Sequence, residues 1–278
     1  MKNVQIGFST GCFYQRPIMD CLEWIRRSGF SVIEISSSRP HMDYGDREQI
    51  RTLSRRLQEL ELTPVSFHAP YGPHIDITSP DEDHRRYAQD EILRACEAAA
   101  ELGAVYYVFH PGPEIPNMGD VPERRHRIDN GVAVLNAVSA RCREKRLKLL
   151  LENMLPHLFL GYMHSMFNVY HQIDPPPTGF CLDTGHAYLT GHIHKVIDLI
   201  GQGTLLVHAN DNRGQRDDHL PPGQGDVPWL NVFKHLRHLR FAGTIVLELA
   251  CLPERSLEQT MQEAVESKNR LQALLDTV

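Results

Sequence analysis

Short runs rich in β-branched, aromatic and leucine residues alternate along the chain with longer stretches in which apolar residues recur every three or four positions. The short runs predict strands at 4–10, 31–37, 64–69, 105–110, 148–153, 179–184, 204–209 and 243–249. Several are almost continuously apolar, as in Val105-Tyr106-Tyr107-Val108-Phe109 and Thr244-Ile245-Val246-Leu247. Such runs suit strands covered on both faces, and strand–helix alternation from end to end suits a parallel sheet.

The intervening stretches carry helix period and punctuation. Ser79-Pro80-Asp81-Glu82 reads as a capping box with proline at the first helical position, followed by a helix that puts Ile92, Cys96, Ala99 and Leu102 on one face and stops at Gly103. Gly29, Gly201 and Gly243 are read as further helix stops ahead of strands. Leu257, Met261, Ala264, Val265, Leu271, Leu274 and Leu275 close the chain on an amphipathic helix. The fifth crossover is the weakest, with only a short helical stretch near 165–173 between Gly161 and Pro175-Pro176-Pro177. No linker or composition step interrupts the series, which favours an α/β fold, a (β/α)8 TIM barrel forming one domain over 1–278, above a doubly wound open sheet.

Composition narrows the function. The chain has 278 residues, 41% hydrophobic and 23% charged, with 29 Lys and Arg against 35 Asp and Glu, a net charge of −6. That balance argues against charge-driven binding to nucleic acid or anionic lipid. The absence of Gly-x-Gly-x-x-Gly after a strand and of a Walker-type Gly-Lys-Ser/Thr removes the common nucleotide-binding motifs. No window approaches the roughly 18 apolar residues of a membrane span, and Met1-Lys2-Asn3-Val4-Gln5-Ile6 does not open a signal peptide, so the expected compartment is the cytoplasm. Six scattered cysteines without a Cys-x-x-Cys pair suggest neither disulfides nor a thiolate metal site, and they and both tryptophans, Trp24 and Trp229, are read as core.

The 16 histidines matter because of where some of them fall. Active sites of such barrels lie at the carboxyl ends of the strands. There the chain places Phe67-His68-Ala69-Pro70, Phe109-His110-Pro111-Gly112, Leu151-Glu152-Asn153, Leu182-Asp183-Thr184-Gly185-His186, His208-Ala209-Asn210-Asp211 and Leu247-Glu248. A charge after an apolar run is costly unless a partner or a metal neutralises it. Six consecutive strands each delivering His, Glu or Asp predict a ring of nitrogen and oxygen ligands, which suits zinc, manganese, cobalt or iron(II). The loop after strand seven adds Arg213, Asp217, Asp218 and His219 before Pro221-Pro222-Gly223-Gln224-Gly225. Each residue alone has a plain structural alternative: His68 or His110 as a satisfied rim residue, Asp183 as a helix cap, Asp217-Asp218-His219 as a solvated loop. His41, His84, His126, His192, His194, His235 and His238 are assigned to loops and outer helices, away from the site.

Taken in order, these motifs, with Phe67-His68-Ala69-Pro70-Tyr71, resemble the xylose-isomerase-like barrel superfamily of sugar isomerases, epimerases and endonuclease IV-type repair enzymes. The resemblance implies one divalent ion (Zn, Mn, Co or Mg) on Glu152, Asp183, His208 and Glu248, with Glu152 and Glu248 as the catalytic pair moving a proton on a keto sugar through an enediolate. It assigns His186 and Arg213 to a small sugar or sugar phosphate. Endonuclease IV resembles the chain through nine ligands for three zinc ions, which fall on His68, His110, Glu152, Asp183, His186, His208, Asp217, His219 and Glu248. Against that rival stand the acidic charge and Ser9-Thr10-Gly11-Cys12-Phe13, which is unlike a DNA-contacting loop; a barrel that binds metal or sugar without turnover is the third reading.

Overall fold

The structure, a computed structural model, describes residues 4–119 and 121–278. Eight parallel strands close into a barrel in chain order, β1 beside β8. The first half runs β1 (Gln5–Ser9), α1 (Ile18–Arg27), β2 (Val32–Ser36), α2 (Arg47–Glu59), β3 (Thr63–His68), α3 (Glu82–Glu101), β4 (Tyr106–Phe109) and α4 (Pro122–Glu144). The second half runs β5 (Lys148–Glu152), α5 (Met163–Tyr170), β6 (Gly179–Asp183), α6 (Thr184–Leu189), α7 (Ile193–Ile200), β7 (Thr204–Ala209), α8 (Trp229–His238), β8 (Thr244–Leu247) and α9 (Leu257–Thr277). Each predicted strand matches one of the eight, with β3 starting one residue ahead of its predicted run 64–69.

Two apolar layers follow from the two-residue period of a strand. Ile33, Ile35, Phe67, Tyr107, Leu149, Leu151, Leu182, Val207 and Ile245 face outward into the main core with the helices. Val32, Val65, Val108, Leu150, Cys181, Leu206 and Val246 form a separate cluster that plugs the barrel interior. The helix face Ile92, Cys96, Ala99 and Leu102 is buried as its spacing predicts.

The structure departs from the sequence reading in three places. The cap of α3 is Asp81, whose side chain accepts from the His84 N–H at 2.9 Å, so Ser79 and Pro80 stand outside the helix. Asp81 competes for the same role because it too offers an oxygen to an unpaired N–H, two residues further along the chain. Gly243 is no helix stop; a Cβ there would lie 2.0 Å from the Leu205 carbonyl, so it is needed where β7 and β8 approach. Trp24 is 37% exposed rather than core, whereas Trp229 is buried. The alternative reading of Asp183 as a helix cap is realised in the short α6, where its side chain accepts from the His186 N–H at 2.7 Å.

Candidate metal centre

Two residues beyond the plug, the same inward-facing positions turn polar. Val32 is followed by Glu34, Val108 by His110, Leu150 by Glu152, Cys181 by Asp183, Leu206 by His208 and Val246 by Glu248. The strand period thus carries these groups to one level above a dry floor. His68 joins them from the end of β3.

His208 stands at the centre, fully buried. Its Nδ1 lies 3.2 Å from Glu152 Oε1 and 3.3 Å from Glu248 Oε2, and its Nε2 lies 2.9 Å from Glu34 Oε2. Glu152 Oε2 meets His110 Nε2 at 3.1 Å and His68 Nε2 at 3.3 Å. Asp183 is fixed by Asn210, which donates to Oδ2 at 2.6 Å, while the Asn153 amide pairs with the Asp183 backbone. On the loop after β7, Asp217 Oδ2 lies 3.3 Å from His186 Nε2 and 3.1 Å from His219 Nε2.

Four imidazoles share one arrangement. With one ring nitrogen, His68 donates to the Ala69 carbonyl, His186 to the Asn153 carbonyl, His219 to the Glu248 carbonyl and His208 to Glu34. The other nitrogen of each faces a carboxylate oxygen. A neutral ring held this way points a lone pair at an anion, which is repulsive unless a proton or a cation lies between them. His110 Nδ1 and Nε2, Glu152 Oε2, Asp217 Oδ1 and Glu248 Oε2 are also buried without a hydrogen-bond partner. Orphaned acceptors and inward lone pairs are the donor set that a divalent cation satisfies. Among the described residues, three groups have one donor atom per residue, all within 4.8 Å: His68, Glu152 and His208; Glu152, Asp183, His208 and Glu248; His186, Asp217 and His219.

Without a cation, protons take up the strain. Burial opposes charge on His68, but Glu152 above all carries its pKa to about 9; burial likewise opposes charge on His219, but Asp217 and Glu248 carry it to about 10. Burial also works against the charged ring of His208, yet the acidic groups around it, Cys181, Glu34, Glu248 and Glu152, hold it well above the usual range. Burial keeps His110 low. Glu152 is buried too, yet His110 and His208 hold it well below the usual carboxylate range. Burial raises Asp183 to about 7, with Glu248 and Glu152 adding to it against His186.

A cavity of about 790 Å³ opens over this floor. Glu152, Glu248, His68, His110, His186, Asp217 and His219 reach it, whereas Asp183 and His208 lie sealed below. Its lining also includes Tyr14, Ser36, Ser37, Arg39 and Tyr87. Arg213 departs from expectation: it is exposed and lies outside the lining, because Asn212 turns inward to the Gly185 carbonyl and the next side chain points to solvent. His41 lies in a loop outside the cavity lining, as its assignment away from the site has it, and is buried with Nδ1 2.6 Å from the Arg16 carbonyl. The residue the motifs missed is Glu34, fully buried and held by Ser9 at 3.1 Å and Ser66 at 2.8 Å as well as His208. Its sequence signal was a lone charge inside Val32-Ile33-Glu34-Ile35, two residues after Val32.

A closed barrel with a His and carboxylate floor defines a class, and the comparisons agree with it. The chain belongs to the xylose isomerase-like TIM barrel family, whose model matches residues 22–271. It is 28% identical over 285 residues to an uncharacterized protein of Methanocaldococcus jannaschii, covering 99% of this chain and 91% of that one. A probable endonuclease 4 of Aquifex aeolicus is 27% identical over 236 residues, 77% of this chain and 79% of the relative. Among solved structures, a D-tagatose 3-epimerase-like protein superposes with a TM-score of 0.84 at 26% identity, covering 99% of this chain and 98% of that one.

Proposed function

We propose that the protein is a divalent-metal-dependent isomerase or epimerase of a small sugar or sugar phosphate. The observation that carries this reading is the division of labour within one ligand group. Asp183 and His208 are sealed beneath the floor, while Glu152 and Glu248, which flank His208 Nδ1 at 3.2 and 3.3 Å, both reach the cavity. Two carboxylates facing one substrate position suit proton removal and return. The likeness to the epimerase-like structure and the serines and tyrosines among the lining residues support a polyhydroxy substrate.

Glu152, Asp183, His208 and Glu248 would hold the ion. When bound, a divalent cation supplies Lewis-acid polarisation of the substrate's carbonyl and neighbouring hydroxyl, which acidifies the adjacent C–H. One glutamate then takes the proton from carbon as the electron pair moves toward the carbonyl oxygen, leaving an enediolate. The opposite glutamate, protonated beforehand from solvent, gives that proton to the other face of the same carbon in an epimerase, or to the neighbouring carbon in an isomerase, where the hydroxyl proton also passes to the former carbonyl oxygen. The first glutamate then returns its proton to solvent. His68 and His110 place Nε2 3.3 and 3.1 Å from Glu152 Oε2, and His186 and His219 border the cavity on either side of Asp217.

The test is deuterium exchange by NMR. Metal-loaded protein incubated in heavy water with free and phosphorylated ketoses is expected to place deuterium beside the carbonyl, and Glu152→Gln and Glu248→Gln each to lose it by on the order of a hundredfold or more. No exchange across that panel would overturn the reading.

A second reading, zinc phosphodiester hydrolysis of abasic DNA, is favoured by one observation: His68 and His110 on Glu152, and His186 and His219 on Asp217, supply the rest of a nine-residue set for up to three ions. Similarity to endonuclease 4 proteins supports it. Nicking of an abasic duplex, abolished by chelator and by His68→Ala, would replace the sugar reading; metal retention with neither activity would favour a binding protein without turnover.

A further inference from the structure

The segment Pro221-Pro222-Gly223-Gln224-Gly225-Asp226-Val227-Pro228-Trp229 takes no part in the chemistry above, yet all of it is arranged around one carboxylate. Asp211, two residues past the end of β7, is fully buried. Its Oδ1 accepts from the N–H of Asn212 and of Val227, both at 2.9 Å, and its Oδ2 accepts from the N–H of Gly223 at 2.7 Å and from Trp229 Nε1 at 2.9 Å. Among the described residues, no Lys, Arg or His lies within ion-pair distance of it. A buried anion without a cation costs several kcal/mol unless hydrogen bonds replace its water, and here N–H groups alone do so.

The loop is shaped to deliver them. Asp211 and Leu220 exchange backbone hydrogen bonds at 2.8 Å in each direction, closing 212–219 into a small ring. Gly223 adopts φ +87°, and a Cβ on Gly225 would lie 2.4 Å from both Asp211 Oδ1 and the Asn212 carbonyl, so both glycines are required for the chain to wrap the carboxylate. Trp229 opens α8 and ties the far end of the loop to a rigid element. The ring carries Asp217 and His219. His219 sits at φ 44°, unusual for a residue with a side chain, and its carbonyl accepts from Ala250 while its Nδ1 donates to the Glu248 carbonyl.

We propose that Asp211 is a positioning residue: its carboxylate folds the 212–228 loop into one conformation and so holds Asp217 and His219 against His186, assembling that cation-binding group in advance of any ligand. The part concerning the cation rests on the metal-centre reading; the part concerning the loop does not.

Asn is the informative substitution. It keeps the volume, but every contact at this site is an N–H donor, and whichever way the amide turns, its NH2 faces two of them. The experiment compares full-length wild type, Asp211→Asn and His219→Ala by peptide-resolved hydrogen exchange, metal-free and zinc-loaded, and counts zinc retained after desalting. Losing acceptors for buried donors is expected to speed exchange across 212–228 by on the order of tenfold to a hundredfold, with β5 and β6 unchanged. Asp211→Asn should also lose the zinc held by His186, Asp217 and His219 while keeping that on Glu152, Asp183, His208 and Glu248. His219→Ala should lose the same zinc with the metal-free loop still protected. Wild-type protection of the loop in Asp211→Asn, a uniform rise in exchange over the whole barrel, or a faster loop with an unchanged zinc count would each overturn the proposal. If the wild type itself retains no zinc at that group, the cation reading there fails, and the metal-free exchange alone decides the role of Asp211.

Discussion

Glu34 shows how one residue can set the chemistry of another. By accepting from His208 Nε2 at 2.9 Å it leaves Nδ1 as the nitrogen that faces Glu152 and Glu248. Carboxylates behind metal-bound histidines typically contribute about 10–100-fold in affinity. Glu34→Ala is therefore expected to weaken zinc by about that factor in a chelator competition titration, and Glu34→Gln, which still offers His208 an oxygen, by less. Equal affinity in Glu34→Ala would show that the orientation of His208 does not depend on it. Glu34 also marks the limit of reading ligands from strand ends. His68, Glu152 and Asp183 end their strands, His110 and Glu248 directly follow theirs and His208 stands one residue before the end of β7, whereas Glu34 lies deeper inside β2, followed by Ile35 and Ser36. The two-residue period from Val32 would have found it. Arg213 erred the other way, since nothing in Asp211-Asn212-Arg213 reveals which of three adjacent polar side chains turns inward.

Among the elements, the strands were legible because each buries both faces and so reads as an apolar run, and their order followed from the regular spacing. Caps and close approaches were not, because they depend on neighbours distant in sequence. Ser79 and Asp81 satisfy the same local rule, and only the path of the chain selects Asp81. Gly243 reads as a helix stop until β7 is placed beside it. Gly185 is a sharper case on α6, where a Cβ would lie 1.9 Å from Asn210 Oδ1, and Asn210 is the residue that holds Asp183 Oδ2. Gly185→Ala is expected to destabilise the fold by about 1–3 kcal/mol in chemical denaturation. Because it displaces Asn210, zinc bound by Glu152, Asp183, His208 and Glu248 should weaken as well. A stable variant with unchanged zinc affinity would contradict that link between α6 and the floor.

For the whole molecule, closing eight strands concentrates imidazoles and carboxylates in a volume that water scarcely reaches, and the barrel must neutralise them with protons or with a cation. His68 and His219, at about 9 and about 10, lie above the usual histidine value of 6.5. Their contribution to the stability of the metal-free protein is fully present below that value and is lost as pH rises through about 9 and about 10. The thermal midpoint of metal-free protein is thus expected to fall between pH 7 and pH 10; a flat or rising midpoint would count against the charged pairs. Zinc must displace the same protons, so calorimetry at pH 7 in buffers of different ionisation enthalpy should register proton release on binding. Among the described residues no helix is long and apolar enough to cross a membrane, and the cavity floor is the feature around which the fold is organised. The most direct test is anomalous diffraction at the zinc edge from crystals of metal-loaded protein. The account predicts a peak bounded by Glu152, Asp183, His208 and Glu248, with His208 bound through Nδ1; density that leaves this position empty while zinc occupies only other places on the protein would contradict it.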